Sequence, residues 1–429
     1  MMCSTGENAQ YGSTCFWTCF LLILTICHTS IPLIAQSVDI APMTWTERSD
    51  WVNVKTDPAL TVHAVGNGTT DDTNAIQQAL DLVSTSDDKS VVYLPAGTYR
   101  ISQTLYWTTA QYCIKGRALY GCGSNTTVQW YGASDGVMFL STGNSKARYY
   151  GIKWDGRGVA AEGMHFEPRF LSNPAQGIAE APLRIINSAF VNFTGVALNF
   201  WNRSHTEWTG EALIQNCLFY NSQFGSQIGK DHYNNYEYIF QDCHFENCGT
   251  GIDAAKNAAQ MVYNTRFMNS AVTDLTGEQS IRARHCISTG SKVFLKVPEY
   301  FGGGAKHVIQ DCWIDSWTNA ATGFNGGAIR IDKKSYSYVF DCKFTNPPNS
   351  EPPINMVNKS FDVPNSLLVS NNTATGFTNQ TAMVTTGTGG GSANVLPIEV
   401  APASPHVGIT TMLESPDHIF LKPTPIDDS

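Results

Sequence analysis

The clearest alternation of hydrophobic and polar positions in this chain is a six-residue phrase that recurs between residues 185 and 345. The phrase begins with an aliphatic or aromatic residue and ends with Phe or Ile, except in one copy. Its third position is Asn or Asp, and its fourth is Cys, Ser or Thr. The third positions are Asn187, Asn216, Asp242, Asn264, Asp311 and Asp341. A further copy has His285 in this slot and ends in Ser, and a weaker copy ends at Asn371.

Successive copies are 21 to 30 residues apart. A repeat of this length is typical of a solenoid, in which each coil is too small to bury its own apolar face and stacks on the next. A leucine-rich repeat would have several Leu per coil. These coils have short strands of β-branched and aromatic residues broken by Asn, Gly and Asp. The pattern therefore predicts an all-β fold, a parallel β-helix whose Asn/Asp slots stack in one file at a bend.

The residue after each Asn/Asp slot should stack inside the coil. Five of these positions are cysteines, namely Cys217, Cys243, Cys286, Cys312 and Cys342. They lack zinc-type spacing, so we interpret them as small buried hydrophobes and not as metal ligands.

Residues 62–105 predict a different local structure. A Gly-rich turn leads into an amphipathic helix over residues 72–84, with Asp71 or Asp72 as its N-cap. The apolar face of this helix consists of Ala75, Ile76, Ala79, Leu80 and Val83. Residues 91–101 then predict strand, turn and strand. A short helix in this position can cover the open end of a solenoid and block edge pairing.

These residues resemble the N-terminal signature of the pectate-lyase-3 superfamily, the glycoside-hydrolase-28-related proteins with rhamnogalacturonase-, epimerase- and tailspike-like members. The matching positions are Gly68, Thr70 to Thr73, Ala75 to Gln77, Pro95 and Gly97 to Tyr99. The family's Gly-Asp-Gly element is Gly66-Asn67-Gly68 here. The resemblance covers about residues 60–375 and implies a single-stranded right-handed parallel β-helix that acts on polysaccharide. It does not identify a reaction, because hydrolases, lyases, epimerases and non-catalytic spike proteins share this scaffold.

The two ends of the sequence predict an N-terminal targeting segment and a C-terminal tail. An apolar run over residues 16–26 has the length of a signal-peptide core, and Ala35 offers a cleavage point. We expect a signal peptide over 1–35, a leader segment over 36–60, a β-helix domain over 61–380 and an irregular C-terminal cap or tail over 381–429. Within the β-helix domain, 61–105 would form the capping helix and first coil. Secretion to an extracellular or periplasmic location follows, and a membrane-tethered form is the alternative.

An oxidising location would permit a disulfide between Cys113 and Cys122, which flank a Gly-rich stretch. It would also allow glycosylation at the seven Asn-x-Ser/Thr sites if the source organism modifies them. The formal net charge of −9 disfavours nucleic acid and anionic membranes as partners. The expected partner is a polysaccharide.

The candidate functional residues are those that point outward. Side chains alternate along a strand, so the positions flanking the Asn/Asp–Cys pair should face solvent. In the middle coils these positions change from apolar to polar, cationic and aromatic, as a groove for an acidic polysaccharide requires. The predicted substrate-binding residues are Lys230, Asp231, His232, Tyr236, His244, Arg266, Arg282, His285 and Trp313. His285 occupies the ladder slot, so a purely structural role is an equal alternative.

Two reactions fit these residues. In β-elimination on a uronate, Lys256 or Arg284 would be the base, and Arg266 and Arg282 would hold the carboxylate. No cofactor is required, although calcium could assist if Asp231, Asp253 or Asp274 held it.

In hydrolysis, a pair of carboxyl groups flanks the bond, and Asp253 with Asp274 or Glu278 could supply that pair. A non-catalytic glycan-binding or adhesin-type solenoid is the third interpretation. The sequence favours elimination slightly.

Overall fold

The computed structural model describes residues 39–108, 116–168, 181–200, 210–229, 237–254, 259–298, 305–332, 335–356, 366–379, 381–386, 394–397, 412–415 and 418–421. Three long parallel sheets wind around a common core, one strand per sheet in each coil. The prediction of a right-handed parallel β-helix is confirmed, and the hand agrees with the general rule for parallel crossovers.

The sheets are named here by their order in each coil. Sheet A contains Trp51–Asn53, Val91–Tyr93, Ala118–Tyr120, Arg148–Tyr150, Leu183–Ile186, Ala212–Gln215, Tyr238–Gln241, Gln260–Tyr263, Ile281–Arg284, Ala305–Gln310, Ser335–Phe340, Ser366–Ser370 and Asn394–Pro397. Sheet B contains Asn67–Asp71, Gly97–Ile101, Thr126–Trp130, Lys153–Asp155, Ala189–Val191, Leu218–Tyr220, His244–Glu246, Arg266–Met268, Ile287–Thr289, Trp313–Asp315, Lys343–Thr345 and Thr373–Ala374. Sheet C contains Leu105–Thr108, Val137–Thr142, Glu162–Glu167, Val196–Phe200, Phe224–Ile228, Thr250–Ala254, Thr273–Gly277, Leu295–Val297, Ile329–Ile331, Ile354–Met356 and Val384–Thr386.

A separate antiparallel pair is formed by Met412–Ser415 and His418–Leu421. Short 3-10 helices span Gly123–Asn125 and Gly323–Asn325.

The predicted file of Asn and Asp residues forms the corner between sheets A and B. Every slot from Asn187 to Asn371, including His285, has φ between 48° and 58°. Asn tolerates this left-handed conformation better than most residues, and its side chain can bond to the next coil. Asn216 Nδ2 donates to Asn187 Oδ1 at 2.8 Å, and Asn264 Nδ2 donates to Asp242 Oδ1 at 2.6 Å. The ladder prediction is confirmed.

A second left-handed corner lies five residues after the first in each of these coils, between sheets B and C. Its positions are Asn192, Asn221, Asn247, Asn269, Gly290, Ser316, Asn346 and Gly376. Asn221 Nδ2 donates to Asn192 Oδ1 at 3.0 Å, so this corner also carries a partial ladder. Two fixed corners with a three-residue strand between them set the register of sheet B.

The interior is filled by stacked side chains. Phe190, Phe219, Phe245 and Phe267 form a column with ring centroids 5.4, 4.4 and 5.0 Å apart. The five cysteines that follow the ladder slots are buried free thiols, as predicted. Burial, the largest cause, raises the pKa of the Cys243 and Cys312 thiols.

The predicted disulfide stays a prediction, because only one of its two cysteines is described. Cys122 is a free, buried thiol, and its Sγ lies 3.2 Å from the hydroxyl of Tyr93. Cys113 lies outside the described residues. The side chain of Cys122 is directed into a small aromatic cluster with Trp51, Val91 and Tyr93, which accounts for its burial.

Helix α1 spans Thr73–Thr85 and follows Asp72, close to the predicted bounds. Ile76, Ala79, Leu80 and Val83 are fully buried in the main core, as predicted. The Asp72 carboxylate does not cap the helix. It instead accepts hydrogen bonds from Val65 N and Gly66 N at 2.7 and 3.1 Å, which fixes the Gly-rich turn.

We expect Ile76→Asp to destabilise the fold by about 2–5 kcal/mol, because it buries an unpaired charge where helix α1 meets the core. Thermal unfolding followed by circular dichroism measures the loss. Asn74→Asp is the matched control, since it adds the same charge at an exposed position of the helix. An unchanged melting temperature for Ile76→Asp would show that the helix does not stabilise the end of the solenoid.

Residues 39–50, here called the strap, lie along the corner of sheets A and B in the early coils. Asn187 Nδ2 donates to Ala41 O at 2.8 Å. The strap thus supplies the acceptor that a ladder residue of the preceding coil would otherwise provide. Trp45 stacks on Tyr120 with ring centroids 4.7 Å apart, and its indole donates to Gly121 O. Ile40 packs against the outward-facing Ala189, Val191 and Leu218. This cover explains why the early coils have apolar outward residues.

Glycine makes room for the strap. Gly151 occupies the ladder slot one coil before Asn187, and a Cβ there would lie 2.8 Å from Met43 Sδ. At Gly123, which has φ of +67°, a Cβ would overlap the carbonyl oxygen of Ala41. The Asn ladder therefore begins at Asn187, one coil after the Gly151 slot that the strap covers.

We expect Gly123→Ala to release the strap while the solenoid stays folded. Hydrogen exchange of the peptide that covers residues 39–50 should then become fast, since Met43 N loses its bond to Cys122 O. Gly158→Ala is the control, because Gly158 has a similar φ of +69° but open space around it. Equal protection of the strap in both variants would contradict the role of Gly123.

The solenoid is longer than the predicted domain. Trp51–Asn53 already pairs with Val91–Tyr93, upstream of residue 61. At the other end, Val384–Thr386 and Asn394–Pro397 still pair with sheets C and A. The predicted signal peptide lies outside the described residues.

Candidate functional site

The longest connections between strands lie next to sheet C. From Tyr150 onward, two residues connect each sheet A strand to the next sheet B strand. By contrast, long stretches follow sheet C in the early coils, as between Glu167 and Leu183. In the later coils a long stretch precedes sheet C, as between Asp315 and Ile329. Among the three sheets, sheet C is thus the one with long connections at both of its edges, from which a groove can be built.

One outward row of sheet C is polar along most of its length. The strand pairing aligns Tyr106, Leu140, His165, Asn199, Gln227, Asp253, Thr276, Lys296, Arg330, Asn355 and Thr385. His165, Asn199 and Gln227 are buried, whereas Asp253, Thr276, Lys296 and Arg330 are partly exposed. These four consecutive positions form the accessible part of the row.

Asp253 and Glu278 meet on this face. Asp253 pairs in register with Thr276, and Glu278 follows two residues later along the same chain. A strand spacing of about 4.8 Å and a rise of about 3.3 Å per residue separate their Cα atoms by about 8 Å. Gln227 Nε2 donates to Asp253 Oδ2 at 3.1 Å, which orients that carboxylate. Glu278 is 5% exposed.

Lys296 and Arg330 bring positive charge to the same row. They are register neighbours on adjacent coils, and Lys296 also pairs with Thr276. Arg330 contacts Asp332 at 3.3 Å, so part of its charge is neutralised. Sequence reasoning missed both residues because they lie outside the repeated phrase. Their row follows the ladder slots by 11 or 12 residues in the five coils from Asn187 to Lys296, a spacing that could have identified Lys296 but not Arg330, which follows Asp311 by 19 residues.

A second titratable cluster lies at the buried end of the row. His165 Nδ1 is 2.6 Å from Glu162 Oε2, and His165 Nε2 is 3.0 Å from Glu167 Oε1. Burial lowers the pKa of His165, but the two glutamates outweigh it, so that the pKa lies above its usual value. Asn199 Nδ2 donates to Glu162 Oε2 at 3.1 Å. The cluster therefore favours a protonated imidazole held between two carboxylates.

Asp274 is not available to a substrate. The side chain is wholly buried inside the coil, and its Oδ2 accepts a hydrogen bond from Ser288 Oγ at 2.5 Å. Burial raises the pKa of Asp274 to about 7, against the opposing effect of Ser270, Ser288 and Ser291. The expectation that Asp274 could pair with Asp253 as a catalytic carboxyl group is therefore wrong. Glu278 remains as the partner of Asp253.

The predicted arginines lie on the other two faces. Arg282 and Arg284 project from sheet A, where they pair in register with Met261 and Tyr263. Arg266 lies on sheet B, beside His244. The predicted set therefore does not form one groove, because Arg284 and Asp253 lie on different sheets.

The remaining predicted residues have local partners. His244 Nε2 is 3.0 Å from Glu246 Oε2, and burial lowers the pKa of His244. His285 is an exposed member of the ladder with Nδ1 2.9 Å from Asp311 Oδ2, as its structural alternative predicted. Trp313 donates to Thr345 Oγ1 at 2.8 Å and lies under Lys343 Nζ. Lys230, Asp231, His232, Tyr236 and Lys256 lie outside the described residues.

Among the described residues, no group of three or more His, Cys, Asp or Glu side chains is arranged to hold a metal ion. The suggestion of calcium stays a prediction, since Asp231 is not among these residues. No helix in the described part of the chain is long and apolar enough to cross a membrane.

Residues 51–157 match the model of a family described as rhamnogalacturonase A/epimerase, pectate lyase-like. This range includes helix α1 and the Gly-rich turn, so the match confirms the resemblance found in those residues. A search of curated protein sequences gives no match.

Several solved structures are similar in fold. Geobacillus virus E2 ORF18 is 14% identical, with 69% of this chain and 62% of that chain covered and a TM-score of 0.39. The mannuronan C-5 epimerase A-module of Azotobacter vinelandii is 15% identical, with coverages of 81% and 100% and a TM-score of 0.48. A GH87 α-1,3-glucanase catalytic domain in complex with nigerose is 11% identical, with coverages of 84% and 70% and a TM-score of 0.49. This chain thus spans 62% of the length of the first of them.

Proposed function

We propose, from the match of residues 51–157 to the pectate lyase-like family, that this chain is an enzyme that cleaves a polysaccharide bound along the outer face of sheet C. The observation that carries the proposal is the polar row of sheet C, with Asp253 in its accessible part and the buried Glu278 two residues after the partner of Asp253, Thr276. The longer connections on both sides of this sheet support a groove there, whereas the two-residue corner between sheets A and B offers no walls.

Hydrolysis is the reaction that this arrangement supports best. An inverting glycosidase needs two carboxyl groups about 6.5–9.5 Å apart, one to protonate the leaving oxygen and one to activate water. The Cα separation of about 8 Å between Asp253 and Glu278 is compatible with that range. Glu278, the more buried of the two carboxyl groups, is assigned the role of general acid. Asp253, which accepts from Gln227, suits the role of general base.

Elimination is the second candidate, and the cations of sheet C favour it. Lys296 and Arg330 could neutralise the carboxylate of a uronate bound in the row. Lys256 would then be the base, since it follows the strand that carries Asp253. Arg284 no longer suits this role because it lies on sheet A.

A panel of purified neutral and acidic polysaccharides tests the proposal. Reducing ends without absorbance in the unsaturated-uronate band would support hydrolysis, and reducing ends with that absorbance would support elimination. Binding without any new reducing ends across the panel would contradict catalysis and leave a glycan-binding solenoid.

A further inference from the structure

The outer face of sheet A carries a group of hydrogen-bond donors that the proposed reaction does not use. Strand pairing brings Gln241, Tyr263, Arg284 and Gln310 into one outward row over four consecutive coils. Arg282 lies in the neighbouring row, two residues before Arg284 and about 7 Å from it along the strand. These five residues are called the sheet A patch.

The two arginines of the patch have no acidic partner. Within the described part of the chain, the side chain of neither Arg282 nor Arg284 forms a hydrogen bond or an ion pair. Arg284 Nε is moreover buried without an acceptor among the described residues. A buried guanidinium nitrogen without an acceptor is costly, and an anionic ligand would satisfy it.

Among the described residues, no carboxylate occupies an outward position of sheet A over these coils, and Glu237, just before the strand Tyr238–Gln241, is the nearby acid. The outward positions of sheet A over these coils are Ile239, Gln241, Met261, Tyr263, Arg282, Arg284, Lys306, Val308 and Gln310. The nearest corner acids are already occupied, because Asp242 accepts from Asn264 Nδ2 and Asp311 contacts His285. The local excess of positive charge is notable in a chain of formal net charge −9.

Tyr263 connects the two arginines. Burial raises the pKa of its hydroxyl, and the positive charges of Arg282 and Arg284 oppose this rise, so both guanidinium groups lie close enough to act on it. Glu237 adds to the rise. Tyr263, in register with Arg284, thus adds a hydroxyl donor to the patch, which is suited to an anionic oxygen.

We propose that the sheet A patch is a second glycan-binding site, which holds the carboxylate or sulfate group of an acidic polysaccharide apart from the catalytic groove. The half-buried side chains of Met261 and Val308 flank the arginines and provide apolar contact for the C–H faces of sugar rings. The flat sheet admits an extended chain, because its corner with sheet B is only two residues long. This site goes beyond the proposed function and does not depend on it.

Affinity gel electrophoresis with polygalacturonate, dextran sulfate or neutral dextran tests the site. The Asp253→Asn background prevents cleavage from affecting the measurement. We expect retardation by at least one of the two polyanions and none by dextran. Retardation by polygalacturonate alone would identify a carboxylate site, and retardation by dextran sulfate alone a sulfate site.

Removing the arginines should weaken this binding. Arg282→Gln and Arg284→Gln should each raise the apparent Kd about tenfold, the low end for a hydrogen bond to a charged group. Arg282 is exposed, so the fold should tolerate its loss even if the half-buried Arg284 were needed for stability. Lys292→Gln is the matched control, because it removes one exposed positive charge from another face.

Three results would overturn the proposal. The parent protein would bind neither polyanion, the Arg282→Gln variant would bind like its parent, or Lys292→Gln would weaken binding as much as Arg282→Gln. The last result would indicate non-specific attraction of charge. None of these results bears on cleavage, which is measured separately with the wild-type chain.

Discussion

Asp253→Asn and Glu278→Gln should each lower turnover on the cleaved polysaccharide by about 10²–10⁴, the usual contribution of a general acid or base. Both changes keep the size of the side chain and remove only its ability to carry the proton. The Michaelis constant should change little, because the loss concerns a step after binding. Single-substrate kinetics on the polysaccharide identified in the panel gives both values.

Lys296→Gln and Arg330→Gln are the comparison variants for this experiment. They share the outward row of sheet C with Asp253, and as binding residues they should mainly raise the Michaelis constant. If Asp253→Asn and Glu278→Gln keep wild-type turnover, the carboxyl pair is not catalytic. Variants of Lys256 would then become the test of elimination.

Asp274→Asn should raise the free energy of unfolding, compared with wild type, by about 4 kcal/mol more in alkaline solution than in acid. The pKa of Asp274 rises from 3.8 to about 7 on folding. The folded state therefore holds this proton more tightly than the unfolded state does. Below pH 3.8 both states are protonated and the group costs nothing. As the pH rises from 3.8 to about 7 the unfolded chain ionises first, and wild-type stability falls.

Urea unfolding of wild type and Asp274→Asn at pH values on either side of this window measures the effect. The neutral amide cannot ionise, so the advantage of the variant should grow with pH and level off above the folded pKa. Cys248 also faces Asp274, but burial, the main cause, raises the pKa of its thiol to about 12, outside the window. An advantage that does not change with pH would contradict the raised pKa of Asp274.

The sequence could predict the coil but not its active face. Asn187 and its equivalents predict the corner, because a left-handed bend restricts the type of residue at that position. The same argument applies to Asn192 and its equivalents, and their constant distance of five residues was available in the sequence. Alternation along a strand also gave the outward direction of Arg284 and Arg266 correctly.

The position of the groove depends on the path of the chain between strands, which alternation does not describe. Arg284 and Asp253 are both outward-facing, yet they lie on different sheets because two corners separate sheet A from sheet C. Asp274 was misjudged for a related reason. Its strand starts with adjacent buried residues, so simple alternation fails there and the carboxyl enters the core.

The strap sets an order of events during synthesis. Its residue Ala41 is bonded to Asn187, which lies 146 positions later in the chain. A ribosome makes the strap first and Trp45 can already stack on Tyr120, but Ala41 has no partner until the coil of Asn187 has been made. Coil-by-coil growth from helix α1 needs no such delay. The amino-terminal part of this fold should therefore be fully attached only after at least five coils have formed beneath it, and cotranslational folding can begin without it.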